Sequence, residues 1–108
     1  MSRQSVRVHR WPEDRAPAES IIRRLMAGEG LQPYRWSNSP GDRYSAHIHG
    51  YHKVLYVVEG STTLGLPDED QRLTLCPGDR LDLPAHTLHD AAAGPGGVVC
   101  LEAQRRDV

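Results

Sequence analysis

The sequence predicts an all-β fold, a small β-barrel or jelly roll preceded by one short helix. After residue 30 the apolar residues fall in short alternating runs, the pattern of strands with a buried face. Turn-forming stretches rich in proline, glycine and aspartate separate these runs at regular intervals. Many short, evenly spaced strands are typical of a barrel or a sandwich. The 108 residues suffice for a single domain with one core.

We expect residues 1–30 to form an irregular arm followed by a helix. Residues 1–16 are polar and show no hydrophobic period, so they are interpreted as the arm. The helix follows, with Pro17 in its first turn and Gly28 at its C-terminal end. Three apolar residues share one face of it: Ile22, Leu25 and Met26. This spacing predicts a short amphipathic helix that packs on the rest of the fold.

The barrel is predicted over residues 31–103, in eight strand segments. They are Leu31–Asn38, Tyr44–His49, Lys53–Glu59, Thr62–Leu66, Arg72–Leu75, Arg80–Leu83, Leu88–Ala92 and Val98–Ala103. Lys53–Glu59 is apolar on both faces, so both faces need a cover. The alternation leaves open whether the N-terminal helix or a second subunit covers the outer face. We expect a homodimer.

Composition excludes several classes of partner. The net charge is −1 and no basic stripe is present, which argues against nucleic acid. No apolar run approaches the ~20 residues that span a bilayer, and the N-terminus lacks the apolar stretch of a secretory signal. The two cysteines, Cys76 and Cys100, form no CxxC pair and are interpreted as reduced thiols. We therefore expect a cytoplasmic protein without membrane contact.

Five of the six histidines lie in two short clusters, His47/His49/His52 and His86/His89. His47 and His49 are two residues apart, so on a strand they face the same side, about 7 Å apart along the chain. Two imidazoles at this pitch can converge on one ion held about 2.0–2.2 Å from each nitrogen. A further ligand must come from a neighbouring strand. His89, just beyond a turn, is the candidate.

Two spacing motifs resemble those of the cupin superfamily. Residues 41–60 read G(x)5HxH(x)3K(x)6G and residues 78–89 read G(x)5PxHxxH. The family motifs are G(x)5HxH(x)3–4E(x)6G and G(x)5PxG(x)2H(x)3N. The resemblance implies a cupin-type double-stranded β-helix, frequent dimers and a metal at the inner face of the barrel. It also implies a metal-ligand role for His47, His49 and His89.

Three positions depart from the family pattern: Lys53 replaces the glutamate, His86 the glycine and Ala93 the asparagine. Lys53 has the same parity as the two strand histidines, so we expect it to point into the barrel. A protonated lysine repels a metal, whereas a neutral amine, favoured by burial and a nearby dication, acts as a base or a ligand. We prefer a simpler interpretation, in which Lys53 extends out of the barrel mouth and only fills the position.

Other polar residues carry weaker expectations. On a continuous strand His52 faces away from the metal histidines, towards solvent or an interface, unless a bulge at Gly50–Tyr51 reverses its phase. His86 lies in a turn and is a candidate fourth ligand or general base. Arg35 or Arg43 is a candidate to grip an anionic substrate.

The predicted function is divalent metal binding inside the barrel, with an open site for a small molecule. Fe, Zn, Ni, Cu and Mn all suit three histidine donors. The resemblance allows a three-histidine iron dioxygenase, and more broadly an oxygenase or isomerase, with His86 and Lys53 as candidate catalytic residues that handle protons. The alternatives are a non-catalytic metal- or ligand-binding sensor and a decayed metal site that acts as a structural homodimer. The substrate stays open.

Overall fold

The chain forms one α-helix, one 3-10 turn and seven strands within residues 5–106, the part that this computed structural model describes. The elements are β1 (Arg7–His9), α1 (Glu19–Gly28), β2 (Tyr34–Asn38), β3 (Arg43–His47), β4 (His52–Leu66), a 3-10 turn (Pro67–Glu69), β5 (Gln71–Leu75), β6 (Arg80–Leu83) and β7 (His89–Arg105). The all-β fold with one short helix is confirmed. Within the same residues, no helix is long and apolar enough to cross a bilayer.

Two long antiparallel strands, β4 and β7, organise the barrel. They pair with each other along most of their length. The first part of β4 pairs with β6 and its second part with β5. In the same way, β3 pairs with the first part of β7 and β2 with its later part, while β1 lies beside β6. Both long strands therefore run through both halves of the barrel, and their inward side chains form one leucine-rich core.

The long strands correct the predicted strand count. Four predicted segments merge into two strands: Lys53–Glu59 with Thr62–Leu66, and Leu88–Ala92 with Val98–Ala103. The reason lies at Gly60 and Gly97, whose φ angles are 75° and 78° and which bend the strands without ending them. The β4–β7 register shifts on either side of this bend. A Cβ at Gly60 would collide with the carbonyl oxygen of Gly97, so the two backbones need glycine to approach this closely.

The prediction that residues 1–16 form an irregular arm is also partly wrong. Residues 1–4 of the predicted arm lie outside the described residues, but Arg7–His9 forms a strand rather than irregular chain. This strand pairs with β6, whose other edge is taken by β4. Val6 and Val8 pack against the core from this edge. Three residues are too short to show a strand period, which is why the pattern missed it.

Helix α1 covers the outer face of β4 within a single chain. Ile22 and Met26 are fully buried, whereas Leu25 is 44% exposed, so the prediction that Leu25 shares the packed face is wrong. The buried pair packs on three outward-facing side chains of β4: Val54, Tyr56 and Val58. The sequence left open whether the N-terminal helix or a second subunit covers this face, and in the structure the helix covers it. The doubly apolar strand therefore no longer argues for a homodimer.

Candidate metal centre

The barrel encloses a cavity of about 310 Å³. Part of its lining is apolar and comes from the core strands: Leu55, Leu64, Leu75, Leu81 and Leu83. The remainder carries the histidines His47, His49 and His89 together with Lys53 and Glu102. A cavity with an apolar body and a few converging polar groups is the usual form of a small-molecule site.

Three histidines of this lining converge at the start of β7. His47 is the last residue of β3 and pairs in register with His89, the first residue of β7. His49 follows two residues later, beyond the end of the strand. The ring centroid of His47 lies 4.7 Å from that of His49 and 4.3 Å from that of His89. One potential ligand atom from each of the three lies within 4.8 Å of the other two.

The backbone sets the orientation of two of these rings. Nδ1 of His47 lies 2.6 Å from the carbonyl oxygen of Ser45, and Nδ1 of His89 lies 2.9 Å from that of Thr87. Because a carbonyl oxygen only accepts, Nδ1 carries the proton in both rings. Nε2 therefore carries the lone pair in both rings, and that of His47 lies at hydrogen-bond distance from Nε2 of His49. Metal-bound histidines are held in this way by a hydrogen bond from their other nitrogen.

The remaining nitrogens fit a metal ion. His89 is 2% exposed, and its Nε2 is buried without a hydrogen-bond partner among residues 5–106. Nε2 of His47 lies 3.1 Å from Nε2 of His49. Two nitrogens bound at about 2.05 Å are separated by about 2.9 Å in octahedral and about 3.3 Å in tetrahedral geometry. The observed separation lies between these values, so the donor set suits one transition-metal ion.

Local electrostatics favour the neutral form of two of the rings, His49 and His89. Burial, followed by the nearby Lys53 ammonium, lowers the pKa of His49. Burial is also the main cause that lowers the pKa of His89, with Lys53 acting in the same direction. Neutral imidazole is the form that binds metal, so both shifts favour the ligand state at neutral pH.

Glu102 is the site residue that the sequence analysis missed. It is 4% exposed and accepts hydrogen bonds from the Tyr34 hydroxyl (2.5 Å, at Oε2) and the Trp36 indole (3.1 Å, at Oε1). Nζ of Lys53 lies 3.5 Å from Oε1. Burial, followed by the hydrogen bond to Glu102, raises the pKa of Tyr34, so its phenol stays protonated. The available signal was a lone acidic residue on the inward parity of an otherwise apolar strand segment.

Lys53 lies inside the barrel, as its parity predicts. Its side chain is 13% exposed and lines the cavity, so the preferred interpretation that it extends out of the barrel mouth is wrong. The position that holds glutamate in the family motif thus holds a cation, and a carboxylate faces it from β7.

His86 is not brought to the cavity. Its side chain is exposed, and its backbone N–H donates to the carbonyl oxygen of His49 at 2.7 Å. Its φ of 63° is a left-handed conformation that favours glycine, the residue that the family motif has here. His86 therefore helps to position the loop of His49 through its backbone, while its side chain points elsewhere.

His52 faces away from the cavity, as its phase on the strand predicts. It is not solvent-facing, however, because its side chain is 10% exposed and its Nε2 lies 3.5 Å from Oδ1 of Asp82. Neither candidate arginine lines the cavity. Arg35 is instead hydrogen-bonded to Glu19 at 3.2 Å, and Arg43 is exposed.

Comparison with known proteins supports the fold. No family model and no curated protein matches the chain. Among solved structures, KdgF from Halomonas sp. is 34% identical over 71% of this chain and 71% of its own, with a TM-score of 0.55. A cupin superfamily protein from Desulfitobacterium hafniense is 20% identical over 99% of this chain and 84% of its own, with a TM-score of 0.61. The polyketide cyclase RemF from Streptomyces resistomycificus is 27% identical over 72% of this chain and 57% of its own, with a TM-score of 0.59.

The fold and site together define a double-stranded β-helix with a histidine cluster inside the barrel. The chain belongs to the cupin superfamily. Within the first family motif it carries Lys53 in place of glutamate, and within the second it carries His86 in place of glycine.

Proposed function

We propose that this protein binds a divalent transition metal through Nε2 of His47, His49 and His89 and holds a small organic molecule beside it. The observation that carries the proposal is the prepared donor set. Backbone carbonyls fix two of the rings, and Nε2 of His89 is buried without a partner among residues 5–106. Three neutral nitrogen donors leave coordination positions for a ligand. Fe, Zn, Ni, Cu and Mn all suit such a set.

The chemistry of the cavity is then divided between the metal and the chain. A bound metal would supply Lewis acidity, or a redox centre for dioxygen if it is iron. The leucines of the cavity pack the apolar part of the ligand and exclude water. The Lys53 ammonium is a proton donor in the same cavity, whereas the Tyr34 hydroxyl already donates to Glu102.

Two catalytic forms are compatible with this proposal. Three histidine ligands without a glutamate support the dioxygenase that the family resemblance implies. The Lys53 ammonium favours instead a metal-dependent isomerase or cyclase that uses no dioxygen, and the similar structure RemF is a polyketide cyclase. Oxygen uptake by the Fe(II)-loaded protein with thiols, diketones and phenols supports the first form. Turnover of such compounds without oxygen uptake supports the second, and the absence of both leaves the non-catalytic sensor.

Metal analysis of matched variants tests the metal proposal. His47→Ala, His49→Ala and His89→Ala should each sharply reduce the zinc or iron bound per chain, because each removes one donor of three. His9→Ala is the matched control, since this histidine lies on β1 with 59% of its side chain exposed. Equal metal content in all four variants would contradict the proposal. If the parent protein binds metal, an anomalous-scattering map at the metal absorption edges identifies the element.

The homodimer and the cytoplasmic location stay predictions. With helix α1 already covering the outer face of β4, a dimer would need another surface. A light-scattering mass near 12.0 kDa at high concentration would contradict the dimer.

A further inference from the structure

The charges of the cavity favour an anionic ligand. Among the described residues that line it, Lys53 and Glu102 are the charged ones, and they compensate each other. The three histidines are neutral donors, so a metal-loaded cavity keeps the full double positive charge of the ion. In a cavity that is otherwise apolar, this charge is poorly solvated. An anionic ligand reduces it.

Glu102 is held by hydrogen bonds and in turn positions Lys53, so it is not available as a free carboxylate. Tyr34 occupies its Oε2, and Trp36 and Lys53 approach its Oε1. A buried carboxylate with three donors is fixed in place and has little capacity to take another ligand. Its effect on the cavity is to hold the Lys53 ammonium in the barrel.

The Lys53 ammonium, by contrast, has more N–H groups than Glu102 can accept from. An ammonium carries three N–H groups, and within residues 5–106 Glu102 is the one partner recorded for it, at 3.5 Å. Its side chain is only 13% exposed, so the remaining N–H groups have little access to bulk water. Lys53 lines the same cavity as His47, His49 and His89. A ligand in this cavity can therefore contact both the ammonium and the histidine cluster.

We propose that Lys53, held by Glu102, is the anion-binding group of the cavity and that the ligand is a small organic carboxylate. The carboxylate accepts charge-assisted hydrogen bonds from Lys53, another oxygen of the ligand faces the three histidines, and its apolar body packs on the leucines. The cavity of about 310 Å³ is at the lower end of the range for small-molecule sites, which suits an acid with one ring or a short chain. This inference rests on the proposed metal-dependent function and assigns its substrate class.

Binding of a matched acid and ketone tests the proposal. The probes are phenylpyruvate and 1-phenylpropan-2-one, which share the phenyl and ketone groups and differ in the carboxylate, titrated calorimetrically into the Zn(II)-loaded protein. The parent should bind the acid at least about tenfold more tightly than the ketone, the contribution of one charge-assisted hydrogen bond. Lys53→Met should remove this difference and leave ketone binding within about twofold, while Lys53→Arg should retain most of it.

Two further variants separate the possible causes. If Lys53→Met keeps its preference for the acid, the metal alone binds the carboxylate and the proposal is wrong. If Lys53→Met loses the preference but the double variant Lys53→Met/Glu102→Gln regains it, the loss came from repulsion by Glu102, and the proposal is also wrong. The expected result is that the double variant binds the acid as weakly as Lys53→Met. Failure of the parent to prefer the acid overturns the proposal directly.

Failure of the metal proposal is recognised separately. Zinc content of the parent is measured before any titration. If the parent binds no zinc, the proposed function fails, and thermal unfolding of the metal-free protein decides the anion site. The acid, but not the ketone, should then raise the unfolding temperature of the parent and not that of Lys53→Met. No such difference would overturn the anion site as well.

Discussion

Replacing Glu102 with glutamine should destabilise the protein through the lysine that it anchors. The amide retains the shape of the side chain and one acceptor, but removes the charge that faces Lys53 at 3.5 Å. At an effective dielectric constant of about 20, unit charges at this separation attract by about 5 kcal/mol. Because the Lys53 side chain is 13% exposed, water recovers part of that energy. We expect Glu102→Gln to lower the free energy of unfolding by about 3 kcal/mol, which corresponds to roughly 15 °C in unfolding temperature.

Removing the lysine charge instead should lower the free energy of unfolding by less, because Glu102 keeps its other hydrogen-bond donors. In Lys53→Met the carboxylate retains its donors from Tyr34 and Trp36, so we expect a loss of about 1–2 kcal/mol. In the double variant Lys53→Met/Glu102→Gln neither charge is buried. Its stability should lie close to that of the parent, which gives a coupling free energy of about 4–5 kcal/mol between the two residues, the sum of the two single losses.

Urea unfolding of the metal-free protein, with chelator present, measures these free energies. Arg35→Met is the matched control because it removes an exposed ion pair with Glu19, which we expect to contribute less than about 1 kcal/mol. The reasoning is refuted if Glu102→Gln unfolds at the same urea concentration as the parent. It is equally refuted if the losses of the two single variants simply add in the double variant.

Other predictions concern pH, packing and metal affinity. Because burial lowers the pKa of His49 and His89, the unfolded chain binds more protons than the folded chain does in this range. The metal-free protein should therefore lose stability as the pH falls below about 6.5. A urea midpoint that stays constant from pH 7.5 to 5 would contradict this prediction. Bound metal should leave over the same range, as equilibrium dialysis would detect. Ile22→Ala should cost about 2–5 kcal/mol without changing the light-scattering mass if α1 packs within one chain; a changed mass would instead place Ile22 at a subunit contact. Burial raises the pKa of Asp79, but backbone N–H donors and Arg10 outweigh it and lower it overall. Asp79→Asn should therefore cost about 1–3 kcal/mol at pH 7 and progressively less below about pH 4, and a pH-independent cost would argue against the charge. Lys53→Glu should raise metal affinity about tenfold or more in a chelator competition, because an anionic donor replaces a cation, and unchanged affinity would mean that residue 53 does not reach the ion.

The histidine cluster was predictable because the positions of its members depend on short-range spacing. His47 and His49 are two residues apart near one strand end, and this parity follows from strand geometry alone. His89 was found from its distance to a turn within a family motif. The parity of Lys53 was readable in the same way, and the structure places its side chain in the cavity.

Glu102 was not predictable in this way because its role depends on register. It pairs with Leu55 of β4 on one side and with Tyr34 of β2 on the other. These pairings join strands that are far apart in the sequence. Spacing along one strand carries no information about which residues of distant strands lie opposite. His86 failed for a related reason, since its left-handed backbone, invisible in the pattern, turns its side chain outward.

The position of β7 in the sheet has a consequence for how the protein acquires its structure during synthesis. Within residues 5–106, β2 and β3 make their strand pairs with β7 alone, which follows them by about 40 residues or more of chain. A ribosome delivers these early strands long before their partner exists, and until then their backbone groups have only water or foreign strand edges to bond. The interval is one in which a chaperone is most useful. The same arrival of β7 delivers His89 and Glu102, so the histidine cluster cannot come together before the barrel closes.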